Sequence, residues 1–438
     1  MVNAHQPEGR LGRGLRMGRL GLSLTGSYLG YQIQNFIGDA GGKDERRKVF
    51  QQKASRKIRN ELQSLKGAVM KLGQALSMQT HLLPDEAAAE LAHLQMRAPA
   101  MHPTLTRAQF KASMGRYPEE VFKEFNPEPL AAASLGQVHR AVMKDGRVVA
   151  VKIQYPAIRK SIENDFKLLR SAVLPGRLSG HLPPEALAEI ETGILKETSY
   201  FNEARNLKFF GRALAALPYV KVPEPVTELS TDRVLTMSFM EGVTLDAWLE
   251  THSSQRQRDL LGHRLGELFH YQFRRVRAVH SDPHPGNYLF DRDLNIHLVD
   301  FGSVCFFTPR MTALVDCFTH RIWEEGESGM ERLSRSVCGG NAEKAPARAR
   351  RTAALTIAFY NAVFSGGVVD FGDPKIMLTL VGLWKECLRN KFVCPDLIFA
   401  SRAEMGLYNL LHRLRAKVDT TAILQEVSRM PEYQGPPA

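Results

Sequence analysis

The run His280-Ser281-Asp282-Pro283-His284-Pro285-Gly286-Asn287, followed by Leu298-Val299-Asp300-Phe301-Gly302, constrains this 438-residue chain more than any other stretch. It sets Asp282, Asn287 and Asp300 at intervals of five and thirteen residues. Two carboxylates and an amide are hard oxygen donors. They suit Mg²⁺, which keeps several waters and takes further ligands from substrate phosphates. With Asn287 and Asp300 on metal, Asp282 is left to orient or deprotonate a nucleophile. Pro283 and Pro285 exclude a regular helix, so the segment reads as a rigid loop. The apolar residues from Ile296 to Val299 predict a short strand that delivers Asp300 to the same place.

The apolar fraction of 44% and charged fraction of 24% are those of a soluble globular protein with ample core. The net charge of +12 is unevenly spread: Lys43 to Arg59 holds eight Lys or Arg against Asp44 and Glu45. Such a run is either a solvated helix face or a surface for phosphates, acidic protein or an anionic membrane. No nucleic-acid partner is expected. The five cysteines, Cys305, Cys317, Cys338, Cys387 and Cys394, are odd in number and lack Cys-x-x-Cys spacing. That argues for a cytoplasmic-type reducing compartment and against a disulfide framework or zinc site. No 18-residue apolar run is present, so no spanning helix is expected. Residues 10–38, rich in Gly and Leu between arginines, read as a surface-lying membrane segment or as a frayed leader.

Along the chain, 44–97 reads helical, with Leu62, Leu65, Val69, Leu72 and Leu76 on one stripe. Pro84-Asp85-Glu86 opens a second helix there. Residues 99–129 read as a proline-rich connector with a helix at 106–114. Short strands are predicted at Val138–Ala141, Gly146–Val151 and Val234–Met237, with a hairpin at Lys144-Asp145-Gly146. One helix is predicted over 185–215. After Leu245 the chain reads helical apart from 280–303, with a surface loop at 336–348 and no fixed structure after Met430.

Val149-Ala150-Val151-Lys152-Ile153 predicts a strand with a lysine among apolar neighbours. A lysine there needs an anion, because burying it unpaired is costly. Nucleotide phosphates would serve, together with a carboxylate from the helix that carries Glu197 and Glu203. Six residues apart on one helix, those two glutamates face different sides. Before the strand lies Ala131-Ala132-Ala133-Ser134-Leu135-Gly136. A phosphate-binding loop would hold more glycine, for close backbone approach. Ala-Ala-Ala in isolation reads as a helix start.

Asp282, Asn287 and Asp300 fall at protein-kinase spacing, with Lys152 as the small-lobe lysine. The sequence departs from ordinary protein kinases at the alanine-rich loop, at Ser281 before the aspartate, and in lacking Ala-Pro-Glu after Asp300-Phe301-Gly302. Lys71-Leu72-Gly73-Gln74 completes a set that resembles the UbiB family of atypical kinase-like proteins over roughly residues 60–310. The resemblance implies an α+β, two-lobed, protein-kinase-like fold with helical N-terminal and C-terminal extensions. It implies a leader at 1–43, a helical extension at 44–128, a small lobe at 129–241, a large lobe at 242–430 and a tail at 431–438. It implies ATP and Mg²⁺ as cofactors, with Asn287 and Asp300 on metal and Asp282 catalytic. Lys152 and Glu203 become the small-lobe ion pair. Ala131, Ala132, Ala133 and Ser134 line the nucleotide, and Met237, Ser238, Phe239 and Met240 form its hinge. Lys71, Gly73 and Gln74 become a regulatory leader motif facing Glu197. The resemblance makes Glu197 the first residue of an E-x-D motif, whose third position here is Ser199 and not Asp.

The expected activity is therefore that of an atypical kinase or ATPase supporting ubiquinone or other isoprenoid-lipid biosynthesis. It would be peripherally membrane-associated, mitochondrial in a eukaryote, and in contact with an isoprenoid or phenolic precursor and with enzymes of that pathway. The rivals are a protein kinase acting in trans and a non-catalytic, nucleotide-switched lipid-binding scaffold.

Overall fold

The computed structural model describes residues 100–133, 135–173, 184–251, 253–309, 311–313, 315–316, 328, 346–364, 366–389 and 398–435. Lys71, Gly73, Gln74, the basic run at 43–59, the 10–38 stretch, the helices expected over 44–97 and Ser134 lie outside these residues. The chain divides into two compact units. One takes in the described residues up to Lys144 together with Val151–Ser199, and the other takes in Asp145–Ala150 and everything from Tyr200. The division at Ser199 differs from the small-lobe boundary expected at residue 241.

In the first unit, α1 (Pro103–Met114) begins three residues before the predicted start, because Pro103 suits a first turn and the His102 side chain caps Thr104 N–H. α2 (Pro118–Val121) leads into β1 (Glu124–Phe125), β2 (Ala131–Ala133), β3 (Gly136–Val142) and β4 (Val148–Gln154), the last sharing its first three residues with the second unit. β2 and β1 both pair antiparallel with β3. The alanines are therefore a strand and not a helix start: Ala131, Ala132 and Ala133 face Val138, Gln137 and Gly136. The predicted hairpin is present, with Gly146 at φ 92° and the Asp145 carboxylate accepting Arg147 N–H at 3.0 Å. Every residue from Val149 to Gln154 is buried, so both faces of β4 are covered. α3 (Ile158–Val173) and α4 (Pro184–Glu197) follow.

The helix predicted over 185–215 is two helices. Thr198 ends α4: its hydroxyl bonds Leu195 O at 2.6 Å, and Gln154 Nε2 takes its carbonyl at 2.6 Å. A side chain that bonds the backbone locally competes with helix continuation. Glu197 and Glu203 consequently lie on different helices.

The second unit begins with α5 (Tyr200–Ala213), then β5 (Val220–Lys221), β6 (Val234–Ser238), β7 (Val243–Thr244), α6 (Leu245–Leu249) and α7 (Gln255–Tyr271). Ser254 and Gln257 cap α7 reciprocally. A π-helical turn, Gln272–Val276, ends it with Arg277 in the left-handed region, before β8 (Ala278–His280). β9 (Tyr288–Phe290) and β10 (Ile296–Leu298) form the sheet order β5-β10-β9-β7, and β11 (Val304–Phe306) pairs with β8. The strand expected to deliver Asp300 is β10.

α8 (Pro346–Phe364), β12 (Val369–Asp370), α9 (Pro374–Arg389), α10 (Ile398–Leu414), β13 (Lys417–Val418) and α11 (Thr420–Arg429) complete the chain. The last residues of the predicted 336–348 loop are thus the first turn of α8. The start of the tail is docked, not without fixed structure: Tyr433 N–H bonds Arg275 O at 2.9 Å, and its ring stands edge-on to Phe209. Among the described residues, no helix is long and apolar enough to cross a membrane.

Candidate active site

The loop from His280 to Asn287 is held at both ends. Gln272, in the π-helical turn, turns its Oε1 to His280 N–H at 2.9 Å. Ser281 N–H bonds Ser303 O at 3.0 Å, continuing the β8–β11 pairing. Pro285–Asn287 form a single 3₁₀ turn, so the predicted rigid loop contains one short helical element. Tyr288 then pairs with Leu298, and Val299 N–H donates to Asn287 O at 3.1 Å. This register sets Asn287 beside the residue that precedes Asp300. The two candidate metal ligands, thirteen residues apart, thus fall at the same end of the β9–β10 hairpin.

Asn287 Nδ2 donates to the Asp282 carbonyl and to Asp282 Oδ2, both at 3.1 Å. With Nδ2 committed there, the amide's Oδ1 is its remaining hard donor. Asp300 Oδ1 accepts Gly302 N–H at 2.9 Å, and Asp300 O is bonded by His280 Nε2. An amide oxygen and a carboxylate are the donor set Mg²⁺ shares with water and phosphate. Among the described residues, no group of three or more His, Cys, Asp or Glu side chains could hold a metal without such outside ligands.

Phe301 anchors the second half of the motif. It is fully buried, with its ring 4.9 Å from Phe210 and 5.2 Å from His280. Glu203, itself 1% exposed, accepts Phe301 N–H at 3.2 Å. Asn206, one turn further along α5, donates to Phe301 O at 2.9 Å. Burial first, and then the Asp282 charge, push the adjacent Tyr288 phenol well up.

In the first unit, Lys152 is 4% exposed on β4. Glu197 is half-buried at the end of α4. Gly136 is explained by packing: a Cβ there would lie 2.3 Å from Ile153 O. Its lack of a side chain thus serves the β3–β4 approach. Ala131 and Ala132 are exposed and Ala133 half-buried.

In the expected hinge, Met237 is buried, while Ser238 exchanges hydrogen bonds with Glu224: the backbone N–H of Ser238 to Glu224 O and Glu224 N–H to Ser238 Oγ, each 2.9 Å. Phe239 N–H reaches Val148 O at 3.3 Å. Met240 Sδ lies 3.4 Å from His297 Nδ1, and His297 Nε2 bonds Asp291 at 3.0 Å. Burial alone would raise Asp291, but bonds from His297 and Asn295 outweigh it and hold the carboxyl below the usual range.

A family model described as the ABC1 atypical kinase-like domain matches residues 93–333, more than half of the chain. The chain belongs to the ABC1 atypical kinase-like family. This is the UbiB-type grouping that the motifs resemble, and the fold is the α+β kinase-like one. Similar ABC1-family relatives include Protein ACTIVITY OF BC1 COMPLEX KINASE 7, chloroplastic, from Arabidopsis thaliana, 32% identical over 60% of this chain and 38% of the relative. AarF domain-containing protein kinase 1 from Mus musculus is 32% identical over 56% of this chain and 47% of its own length. Atypical kinase coq-8, mitochondrial, from Caenorhabditis elegans is 26% identical over 83% and 49%. The chain thus spans less than half the length of these relatives. Among solved structures, the complex of Rv3197 with erythromycin from Mycobacterium tuberculosis matches with TM-score 0.58 and 27% identity, over 90% of this chain and all of that one.

Two residues at the candidate site escaped the sequence reading. Asn206 could have been found as the residue one turn after Glu203 on the same face. Arg402, whose Nη2 lies 2.9 Å from Asp282 Oδ1, gave no local signal, since 120 residues separate the pair.

Proposed function

We propose that this chain binds ATP with Mg²⁺ and catalyses phosphoryl transfer or ATP hydrolysis, as an atypical kinase or ATPase. The observation that carries this is the Asp282–Asn287 hydrogen bond next to the Asn287–Val299 backbone bond, which gathers Asp282, Asn287 and the approach to Asp300 at one end of the β9–β10 hairpin. In this reading Asn287 Oδ1 and the Asp300 carboxylate hold Mg²⁺, which neutralises charge on the phosphates when bound. Asp282 orients the attacking hydroxyl or water and accepts its proton or a hydrogen bond from it. Lys152 binds phosphate, since a lysine so deeply buried requires a counter-charge. Met237, Ser238, Phe239 and Met240 contact the base, and the β2 alanines with Ser134 cover the phosphates. Lys71, Gly73, Gln74 and Glu197 are the regulatory residues of this reading.

The acceptor or effector, in this reading, is a hydrophobic small molecule of the isoprenoid or phenolic class, met at an anionic membrane surface beside enzymes of lipid biosynthesis. Two similarities support it: the coq-8 relative is named a mitochondrial atypical kinase, and Rv3197 is described as a complex with erythromycin. The test is Mg²⁺–ATP turnover by the full chain against Asp282→Asn. Turnover should fall on the order of 100-fold, with ATP binding retained. Equal turnover by the two proteins would remove Asp282 from the chemistry.

A further inference from the structure

Helix α10 meets the loop of Asp282 at two points. Arg402 Nη2 forms the ion pair with Asp282 Oδ1 at 2.9 Å, the two side chains being 14% and 18% exposed. Four residues on, Gly406 lies against Pro283: a Cβ at Gly406 would sit 1.8 Å from Pro283 Cβ. Residues four apart share one face of a helix. One face of α10 therefore meets two consecutive loop residues, one through charge and one through the space a glycine leaves.

The loop itself, His280–Tyr288, contains no Lys or Arg. The cation on Asp282 comes instead from the C-terminal part of the chain. Arg402 Nε is buried without a protein acceptor. A solvated surface arginine would not bear that cost, so its placement is specific.

We infer that α10 is a clasp on the catalytic loop and that Arg402 is a positioning residue for Asp282. The inference rests on the phosphoryl-transfer reading above. A terminal carboxylate torsion is broad when only one oxygen is held. Here Arg402 holds Oδ1 and Asn287 Nδ2 holds Oδ2. Together they fix the plane of the carboxylate and hence the direction of its other lone pairs toward a nucleophile. Arginine suits this task because its planar fork fixes orientation, whereas a lysine ammonium supplies only a point charge. The C-terminal helices thereby become part of the catalytic apparatus.

The experiment measures steady-state Mg²⁺–ATP hydrolysis and nucleotide thermal shift on the full chain. Arg402→Gln should lower kcat roughly 10- to 100-fold, since small misplacements of a catalytic group cost that much. The KM for ATP and the thermal shift should stay within about twofold, because the fault lies in the transition state. Arg402→Lys should fall between, and Gly406→Ala should lower kcat with Arg402 intact. Arg402→Gln placed on Asp282→Asn should cause no further loss, because the two act as one unit. Losses that multiply, or a wild-type kcat in Arg402→Gln, overturn the clasp. Should Arg402→Gln not fold, wild-type kcat in both Arg402→Lys and Gly406→Ala overturns it equally. A wild-type chain without turnover sinks the phosphoryl-transfer reading and the clasp with it. Turnover that needs Asp282 but ignores Arg402 and Gly406 sinks the clasp alone.

Discussion

Glu203 and Phe301, ninety-eight positions apart, are joined by a hydrogen bond from the Phe301 backbone N–H to Glu203 Oε1 at 3.2 Å. Asn206 takes the Phe301 carbonyl at 2.9 Å from the same helix. Helix α5 thus grips both polar groups of the residue beside Asp300. Its gripping face follows from the three-residue spacing of Glu203 and Asn206. A buried amide left without its partner loses the full desolvation cost of the group.

Asn206→Leu should therefore destabilise the protein by about 1–3 kcal/mol, measured by urea unfolding. It should also reduce the Mg²⁺ dependence of ATP binding, because the Phe301 peptide carries Asp300 with it. A variant as stable as wild type would show that the Asn206 bond is dispensable.

Asp300→Asn should remove most of the Mg²⁺-dependent part of the thermal shift given by ATP. A ligand at 100 times its Kd adds about 2.7 kcal/mol to the native state. Losing the only full negative charge among the proposed ligands should leave mainly the metal-independent fraction. The check is differential scanning fluorimetry with ATP, with and without excess EDTA. An undiminished metal-dependent shift in a folded variant takes Asp300 out of the metal site.

Glu404, half-buried on α10, has its carboxyl pushed up to about 7 by desolvation, against hydrogen bonds from Tyr408 and Tyr360 that act in the opposite sense. The native state then holds a proton that the unfolded chain, with an ordinary value of 4.5, has released. Between those values the native state binds more protons, so stability falls as pH rises from about 4.5 to 7. Buried His270, pushed down to about 3, acts with the opposite sign below its ordinary 6.5. Comparing variants isolates the carboxyl: Glu404→Gln should cancel a loss of order 3 kcal/mol across that window. Parallel stability–pH curves for wild type and variant would contradict a raised Glu404.

The elements legible in the sequence were those fixed by local chemistry. β10, the hairpin at Gly146 and the loop around Pro283 follow from apolar runs, turn residues and proline. The spacing of Asp282, Asn287 and Asp300 is visible in the sequence because the first two share one loop and a short hairpin separates Asn287 from Asp300. What escaped was decided by partners outside each segment. The break at Thr198 depends on Gln154, forty-four residues earlier, taking its carbonyl. The alanines at 131–133 became a strand because β3 was there to pair, overriding their helix preference. Arg402 reaches Asp282 from a helix whose periodicity says nothing of its partner.

Gly136 and Ala133 face each other across β2–β3, and the structure separates their roles. A Cβ on Gly136 would approach Ile153 O to 2.3 Å and Gln154 Cα to 3.0 Å, both backbone atoms that yield only by moving β4. Lys152 lies immediately before that contact. Gly136→Ala should therefore cost about 1–3 kcal/mol of stability, as overpacking does, and should weaken ATP binding by displacing Lys152. Ala133→Gly loses only the strand preference of an alanine, on the order of 0.5–1 kcal/mol. It gains backbone freedom beside the proposed phosphate position, so it should alter the relative affinity for ATP and ADP while the fold stays close to wild type. Thermal unfolding and isothermal titration on both variants distinguish the two effects. If Gly136→Ala keeps full stability, the β3–β4 approach is looser than the 2.3 Å contact requires. If Ala133→Gly binds both nucleotides as wild type does, the alanines act only as a strand.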